Sequence, residues 1–80
     1  MTIWVYALLF DKGSIYVGLT CDLSRRLEEH RRRQSPSTRS YTGTFRLLYQ
    51  KAFDGYKEAR THEKYLKSGA GRRMLGSVRT

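Results

Sequence analysis

The sequence predicts an α+β domain whose elements follow the order β-β-α-β-α. Three observations lead to this fold class. Residues 3–10, 14–19 and 46–53 are rich in apolar, aromatic and β-branched side chains, residues 23–33 and 56–67 repeat apolar side chains at helical spacing, and turn residues separate these segments. At 80 residues the chain is expected to form a single domain, residues 1–80.

The first two strands are predicted to form a β-hairpin. Residues 3–10 carry apolar side chains at both odd and even positions, so this strand should be central and covered on both faces. Residues 11–13 form the turn, in which Gly13 can take a positive φ. With a three-residue loop, even-numbered positions of both strands share one face, which makes Tyr6 and Tyr16 diagonal neighbours. The alternative explanation is that both are ordinary strand aromatics.

The first helix is predicted at residues 23–33, with Asp22 as N-cap and an end before Pro36. The side that should face the sheet carries four residues: Leu23, Arg26, Leu27 and His30. Two of them are polar and therefore candidates for a site. The alternatives are a snorkelling stem for Arg26 and a hydrogen-bonded, half-buried imidazole for His30.

An exposed loop is predicted after this helix, because residues 35–44 are rich in Ser, Thr and Gly. The loop carries Arg39, a candidate contact for nucleic acid. Residues 46–53 resume a strand pattern, and residues 54–55 form a turn.

The second helix is predicted at residues 56–67. Its apolar side is assigned to four residues: Tyr56, Ala59, His62 and Leu66. Glu63 falls on the border of this side, and a partly buried carboxylate needs a cation, either a structural arginine or a metal ion.

A continuous basic stripe is predicted along the same helix, formed by Lys57, Arg60, Lys64 and Lys67. A phosphate backbone could lie along it, although an ordinary solvated face is the alternative. Residues 68–71 are expected to break the chain before a last turn at residues 72–75, where Arg72 and Arg73 are further candidates for nucleic-acid contact.

The net charge of +9, with 16 Lys and Arg against 7 Asp and Glu, predicts a polyanionic partner. Nucleic acid is favoured over a merely solubilising surface or an anionic membrane. The longest apolar run is far shorter than the ~20 residues of a spanning helix, so no membrane association is expected. The single cysteine, Cys21, excludes an internal disulfide and favours a cytoplasmic location, and its spacing from the two histidines argues against zinc.

The same residues form a pattern that resembles the GIY-YIG nuclease superfamily. The pattern consists of Tyr6, then the Tyr16-Val17-Gly18 motif, then Arg26, then Glu63, and the resemblance covers residues 4–75. It implies a small three-stranded antiparallel sheet flanked by helices. Two departures are Trp4-Val5-Tyr6 in place of the first motif and the absence of any asparagine, which some members place after the glutamate.

The resemblance also implies roles for individual residues. Glu63 would hold a divalent cation, Mg²⁺ or Mn²⁺, and Arg26 would contact the scissile phosphate. A guanidinium and a metal ion aimed at phosphate oxygens stabilise the negative charge of the transition state. Tyr6, Tyr16 or His30 would accept the proton of the attacking water, and the residues do not decide which one does.

The function expected from these features is metal-dependent endonuclease activity on nucleic acid, with DNA favoured over RNA and structure favoured over sequence as the basis of selection. The alternatives are a non-catalytic nucleic-acid-binding module and a nuclease subunit that needs a protein partner. A homodimer would be another way of enlarging the binding surface.

Overall fold

A computed structural model describes residues 1–32 and 44–78 of the chain. It contains three strands and three helices within these residues: β1 (Ile3–Phe10), β2 (Ile15–Thr20), α1 (Leu23–Arg31), β3 (Phe45–Phe53), α2 (Tyr56–Lys67) and α3 (Gly69–Val78). This order confirms the predicted α+β class and adds one helix. Among the described residues, no helix is long and apolar enough to cross a membrane.

The sheet is antiparallel and has the strand order β2-β1-β3, so β1 is central as predicted. The backbone N–H of Phe10 donates to the Ser14 carbonyl oxygen at 2.9 Å, which closes a three-residue loop. Gly13 in this loop has a φ of 88°. The register places Tyr6 opposite Gly18 and Leu8 opposite Tyr16, so the predicted diagonal relation of the two tyrosines is confirmed.

A β-bulge interrupts the pairing of β1 with β3. Ala7 pairs with Tyr49, whereas the next residue, Leu8, pairs with Leu47, so Leu48 is an extra residue on β3. An extra residue reverses the alternation of side chains beyond it. As a result Leu47 joins one face of the sheet, and both Leu48 and Tyr49 join the other.

The sheet is covered on both faces, which separates the core into two clusters. The cluster under α1 consists of Tyr6, Leu8 and Phe10, with Tyr16, Leu23, Leu27, Phe45 and Leu47 packed against it. The cluster under α2 and α3 is built from Ile3, Val5, Ala7, Val17, Leu48, Ala59, Leu66 and Leu75. Each cluster takes alternate residues of β1, as the period of a strand requires.

Helix α1 begins where the sequence predicts, since the Asp22 carboxylate accepts a hydrogen bond from the backbone N–H of Arg25 at 3.1 Å. It ends at Arg31, two residues before the predicted end, and Arg33 lies outside the described residues. His30 is the last residue of α1 that is buried. Arg31 and Arg32, which follow it, are exposed.

Helix α2 has the predicted bounds, but its buried side differs from the prediction. Ala59, Glu63 and Leu66 are the buried residues, spaced i, i+4 and i+7. The carboxylate therefore lies at the centre of the buried side rather than on its border. Tyr56 was assigned to this side, and that assignment is wrong, because the residue is 60% exposed in the first turn of the helix.

Helix α3 replaces the predicted break and short final turn. The interruption is confined to Ser68, whose side-chain oxygen accepts a hydrogen bond from the backbone N–H of Gly71 at 3.3 Å and so caps the new helix. A Cβ atom on Gly71 would overlap the carbonyl oxygen of Tyr65 and the Cα of Leu66. Glycine is required here by the close approach of α3 to α2, not as a helix breaker.

We expect Gly71→Ala to lower the free energy of unfolding by about 1–3 kcal/mol, because the added methyl group must push α3 away from α2. Gly76→Ala in the same helix is the matched control, since a Cβ there meets no atom within 4 Å. Alanine propensity should make that variant neutral or up to about 1 kcal/mol more stable. Urea denaturation compares the two, and equal effects would contradict the proposed close packing.

Candidate active site

Three aromatic rings form the centre of the candidate site on the α1 side of the sheet. The ring centroids of Tyr6 and Tyr16 are 6.2 Å apart, those of Tyr6 and His30 5.7 Å, and those of Tyr16 and His30 5.2 Å. The hairpin supplies the two phenols, and α1 brings the imidazole from 14 residues beyond Tyr16. The structure thus assembles three of the predicted site residues into one cluster.

The Tyr6 hydroxyl and the Nε2 atom of His30 are hydrogen-bonded at 2.8 Å inside the protein. Burial raises the pKa of Tyr6 well above its usual value, and the neighbouring Arg26 opposes this increase only in part. Burial, followed by the charge of Arg26, lowers the pKa of His30. Both groups are therefore neutral near pH 7, and we assign the phenol as donor and Nε2 as acceptor.

Gly18 is needed because the two phenols lie against its backbone. A Cβ atom at this position would lie 2.6 Å from the Tyr6 hydroxyl oxygen and 2.9 Å from Cε2 of Tyr16. Any side chain would displace at least one ring. This contact gives a physical reason for the glycine in the Tyr16-Val17-Gly18 motif.

Arg26 contributes a guanidinium beside the aromatic cluster. Its Nη1 atom pairs with Oε1 of Glu29 at 3.0 Å, and its pKa is raised, first by the Tyr6 hydroxyl. The Nε atom is buried and has no hydrogen-bond partner among the described residues. A buried donor without a partner is costly, so this N–H is available for an anionic oxygen brought by a ligand.

Glu63 is placed on the other side of the sheet, since α2 packs against the cluster that lies opposite α1. Its Oε1 atom pairs with Arg60 at 3.4 Å, and its Oε2 atom accepts a hydrogen bond from the Lys67 ammonium at 3.1 Å. The carboxylate is 7% exposed. The predicted need for a cation is therefore met by two side chains of the same helix.

The site offers a divalent ion a single carboxylate. No group of three or more His, Cys, Asp or Glu side chains that could hold a metal occurs in the described part of the chain. Mg²⁺ commonly keeps several waters and takes one or two carboxylates together with substrate phosphate. A lone buried Glu63 fits that kind of binding, provided that Arg60 and Lys67 give way or share its oxygens.

The predicted basic residues are all exposed where the structure describes them: Lys57, Arg60, Lys64, Lys67, Arg72 and Arg73. Arg39 lies outside the described residues. The stripe on α2 is not the uninterrupted row of free cations that was predicted, because Arg60 and Lys67 bind Glu63. The reason is that Glu63 lies one helical turn from each of them.

A second aromatic cluster was not identified from the sequence. It surrounds His62, whose Nε2 atom is hydrogen-bonded to the Tyr49 hydroxyl at 2.8 Å. The rings of Phe53 and Tyr65 lie with their centroids 5.2 Å and 5.8 Å from that of His62. The i, i+3 spacing of His62 and Tyr65 was a signal for this contact, but the bulge that places Tyr49 beside them was not visible in the sequence.

The chain is similar to two baculovirus proteins and to one bacterial protein of known structure. It is 38% identical to the UPF0213 protein ORF82 of Orgyia pseudotsugata multicapsid polyhedrosis virus over 73 residues, which cover 88% of this chain and 69% of that protein. It is 35% identical over 51 residues to a UPF0213 protein from the VLF1-GP41 intergenic region of Autographa californica nuclear polyhedrosis virus, covering 62% of this chain and 49% of that protein.

The solution NMR structure of the UPF0213 protein BH0048 from Bacillus halodurans matches the fold with a TM-score of 0.60 and 32% identity. The match covers 98% of this chain and 85% of that one, which supports the three-stranded antiparallel architecture. The model of the GIY-YIG catalytic domain matches residues 2–74, a range that includes both phenols, the guanidinium and the buried carboxylate. The chain therefore belongs to the GIY-YIG family of nuclease domains.

Proposed function

We propose that this protein is a divalent-metal-dependent endonuclease that hydrolyses phosphodiester bonds in DNA. The observation that carries the proposal is the cluster of Tyr6, Tyr16 and His30 beside the Nε–H of Arg26, which has no hydrogen-bond partner in the described part of the chain. A proton acceptor and an anion-binding donor at one place are what hydrolysis of a phosphodiester requires.

Arg26 binds a non-bridging oxygen of the scissile phosphate in this proposal. Its guanidinium stays charged, because its pKa is raised, and Glu29 holds it in position from the same helix. As the water oxygen bonds to phosphorus, negative charge grows on the non-bridging oxygens, and a fixed cation lowers the energy of that state. The same phosphate satisfies the buried Nε–H.

Proton transfer starts at Tyr16, since Tyr6 is fully buried whereas Tyr16 is only partly so. Tyr16 takes a proton from the attacking water and passes its own proton to Tyr6, which passes its own to Nε2 of His30. Neither phenol has to become a stable anion, which suits the raised pKa of Tyr6. Neutral His30 is the final acceptor, and its lowered pKa keeps it unprotonated near pH 7.

Glu63 is the proposed ligand of Mg²⁺ or Mn²⁺. When bound, the ion neutralises charge on the phosphate and on the departing oxygen. Arg60 and Lys67 each pair with one oxygen of the carboxylate and orient it along α2. β2 is an edge strand with α1 on one face and α2 on the other. The proposal requires the scissile phosphate to lie over this edge, between Arg26 on one side and Glu63 on the other.

Substrate selection by structure follows from the kind of contacts available. The exposed lysines and arginines reach phosphate groups, which are the same in every sequence. We propose DNA rather than RNA as the substrate, and a protein partner or homodimer as a source of additional targeting. The cytoplasmic location stays a prediction that rests on the reduced Cys21.

A non-catalytic nucleic-acid-binding protein is the second candidate. The observation in its favour is that both oxygens of Glu63 already have cationic partners on α2. Such a protein would keep the basic surface and use Glu63 only to orient Arg60 and Lys67.

Glu63→Gln distinguishes the two functions. We expect it to reduce metal-dependent cleavage of labelled flapped and branched DNA by on the order of 100-fold or more, because an amide binds Mg²⁺ weakly. Stability should change little, since the partners Arg60 and Lys67 are half exposed and become hydrated.

Glu28→Gln on the outer side of α1 is the matched control, because it removes an exposed carboxylate with the same chemistry. This variant should cut like the wild type, and EDTA should stop both. If Glu63→Gln and the wild type bind DNA equally and neither cuts it with Mg²⁺ or Mn²⁺, the protein is a binding module or a nuclease subunit that needs its partner.

The rate of cleavage should fall as the pH decreases below about 6.5, the usual pKa of histidine, because protonated His30 cannot accept a proton. Because the pKa of His30 is lowered, the midpoint of the decrease in cleavage rate should lie on the acidic side of that value. The His30→Gln variant should cleave slowly at every pH, and its rate should not show this pH dependence. Rates measured between about pH 5 and pH 8 on folded protein test the assignment, and a wild-type rate that does not change over this range would exclude it.

A further inference from the structure

An open groove with a volume of ≈ 450 Å³ lies where α2 passes the end of β3, on the opposite side of the sheet from the Tyr6 cluster. Six residues line it: Phe53, Lys57, Glu58, Thr61, His62 and Tyr65. Glu63 and Leu66 lie on the buried side of α2, so the groove is separate from the proposed metal ligand.

The floor of the groove is a rigid set of aromatic rings. His62 is stacked on Tyr65 with an interplanar angle of 29° and a centroid distance of 5.8 Å, and Phe53 lies 5.2 Å from the imidazole. The hydrogen bond to Tyr49 holds the imidazole in place. Tyr65 remains 44% exposed, which leaves ring surface for a ligand. An exposed ring next to two further aromatic rings is suited to stacking against a planar ligand.

Two lysine side chains lie beside these rings. Lys57 lines the groove, and the Lys51 ammonium lies 5.5 Å from the centre of the Phe53 ring. The acid in the lining, Glu58, turns toward the start of α2, since its Oε2 atom would lie 2.7 Å from a Cβ on Gly55. There a carboxylate interacts favourably with the helix dipole. The remaining charges are complementary to a phosphate backbone.

We propose that this groove binds an unpaired base of single-stranded nucleic acid, with the base stacked on the exposed ring surface of Tyr65 and the neighbouring phosphate on Lys57. Aromatic rings next to cations are the usual means of holding single strands without reading their sequence. The internal bases of a duplex cannot use this site, because their faces are already stacked on one another. The proposal assigns a binding site beyond the proposed cleavage chemistry, and it explains how junctions and flaps are distinguished from plain duplex.

Fluorescence anisotropy with a labelled oligothymidylate of about 12 nucleotides, in EDTA, tests the proposal without any need for cleavage. Tyr65→Ala should weaken binding of the single strand about fivefold or more, while Tyr65→Phe, which keeps the ring, should bind like the wild type. Affinity for a blunt duplex should change less than about twofold, since phosphate contacts alone hold it.

Tyr56→Ala is the control, because this tyrosine is 60% exposed on the same helix and does not line the groove. It should leave both affinities unchanged. Equal losses for single strand and duplex with Tyr65→Ala, or no loss for either, would overturn the proposal. The proposal would also be overturned if sedimentation velocity showed that the wild type is a dimer and that Tyr65→Ala dissociates it. A second copy of the chain would then occupy the groove. A urea midpoint equal to that of the wild type confirms that the variant is folded.

Discussion

The arrangement of the whole domain depends on β1 being buried on both faces. Val5, Tyr6, Ala7 and Leu8 are consecutive and fully buried, so the chain must cover both sides of a sheet that has only three strands. α1 covers one side, and α2 with α3 covers the other. This arrangement divides the candidate functional residues between two faces.

Burial of Tyr6 connects this packing to the proposed chemistry. A buried hydroxyl needs a hydrogen-bond partner. His30 of α1 supplies it, with its Nε2 atom 2.8 Å from the Tyr6 hydroxyl oxygen. The same burial raises the pKa of the phenol and lowers that of the imidazole, which keeps both neutral and leaves a proton acceptor inside the protein. Gly18 is the other requirement, because only a residue without a Cβ lets the two phenols approach the backbone of β2. Stability and the geometry of the site therefore depend on the same contacts.

The opposite face shows how one extra residue creates a second surface. The bulge at Leu48 brings Tyr49 to the α2 side, where it fixes His62 next to Phe53 and Tyr65. Without the bulge, the side chains of β3 would continue their earlier alternation, and Tyr49 would point toward α1. The proposed proton-acceptor cluster of Tyr6, Tyr16 and His30 and the proposed single-strand groove thus lie on different faces of one sheet. A substrate with a duplex and an unpaired segment has features suited to both.

The sequence by itself determined the order of the first five elements, the hairpin with Tyr6 and Tyr16 on one face, and the bounds of α2, because these follow from local periodicity and turn length. The tertiary structure decided the rest. Glu63 lies on the face opposite Arg26 and is held by cations of its own helix, and Gly71 continues a helix that it was expected to break. Periodicity shows which side chains share one side of a helix, but the face of the sheet that receives that helix depends on contacts between segments far apart in the chain. Close approaches such as that of α3 to α2 depend on the same distant contacts, and no local pattern encodes them.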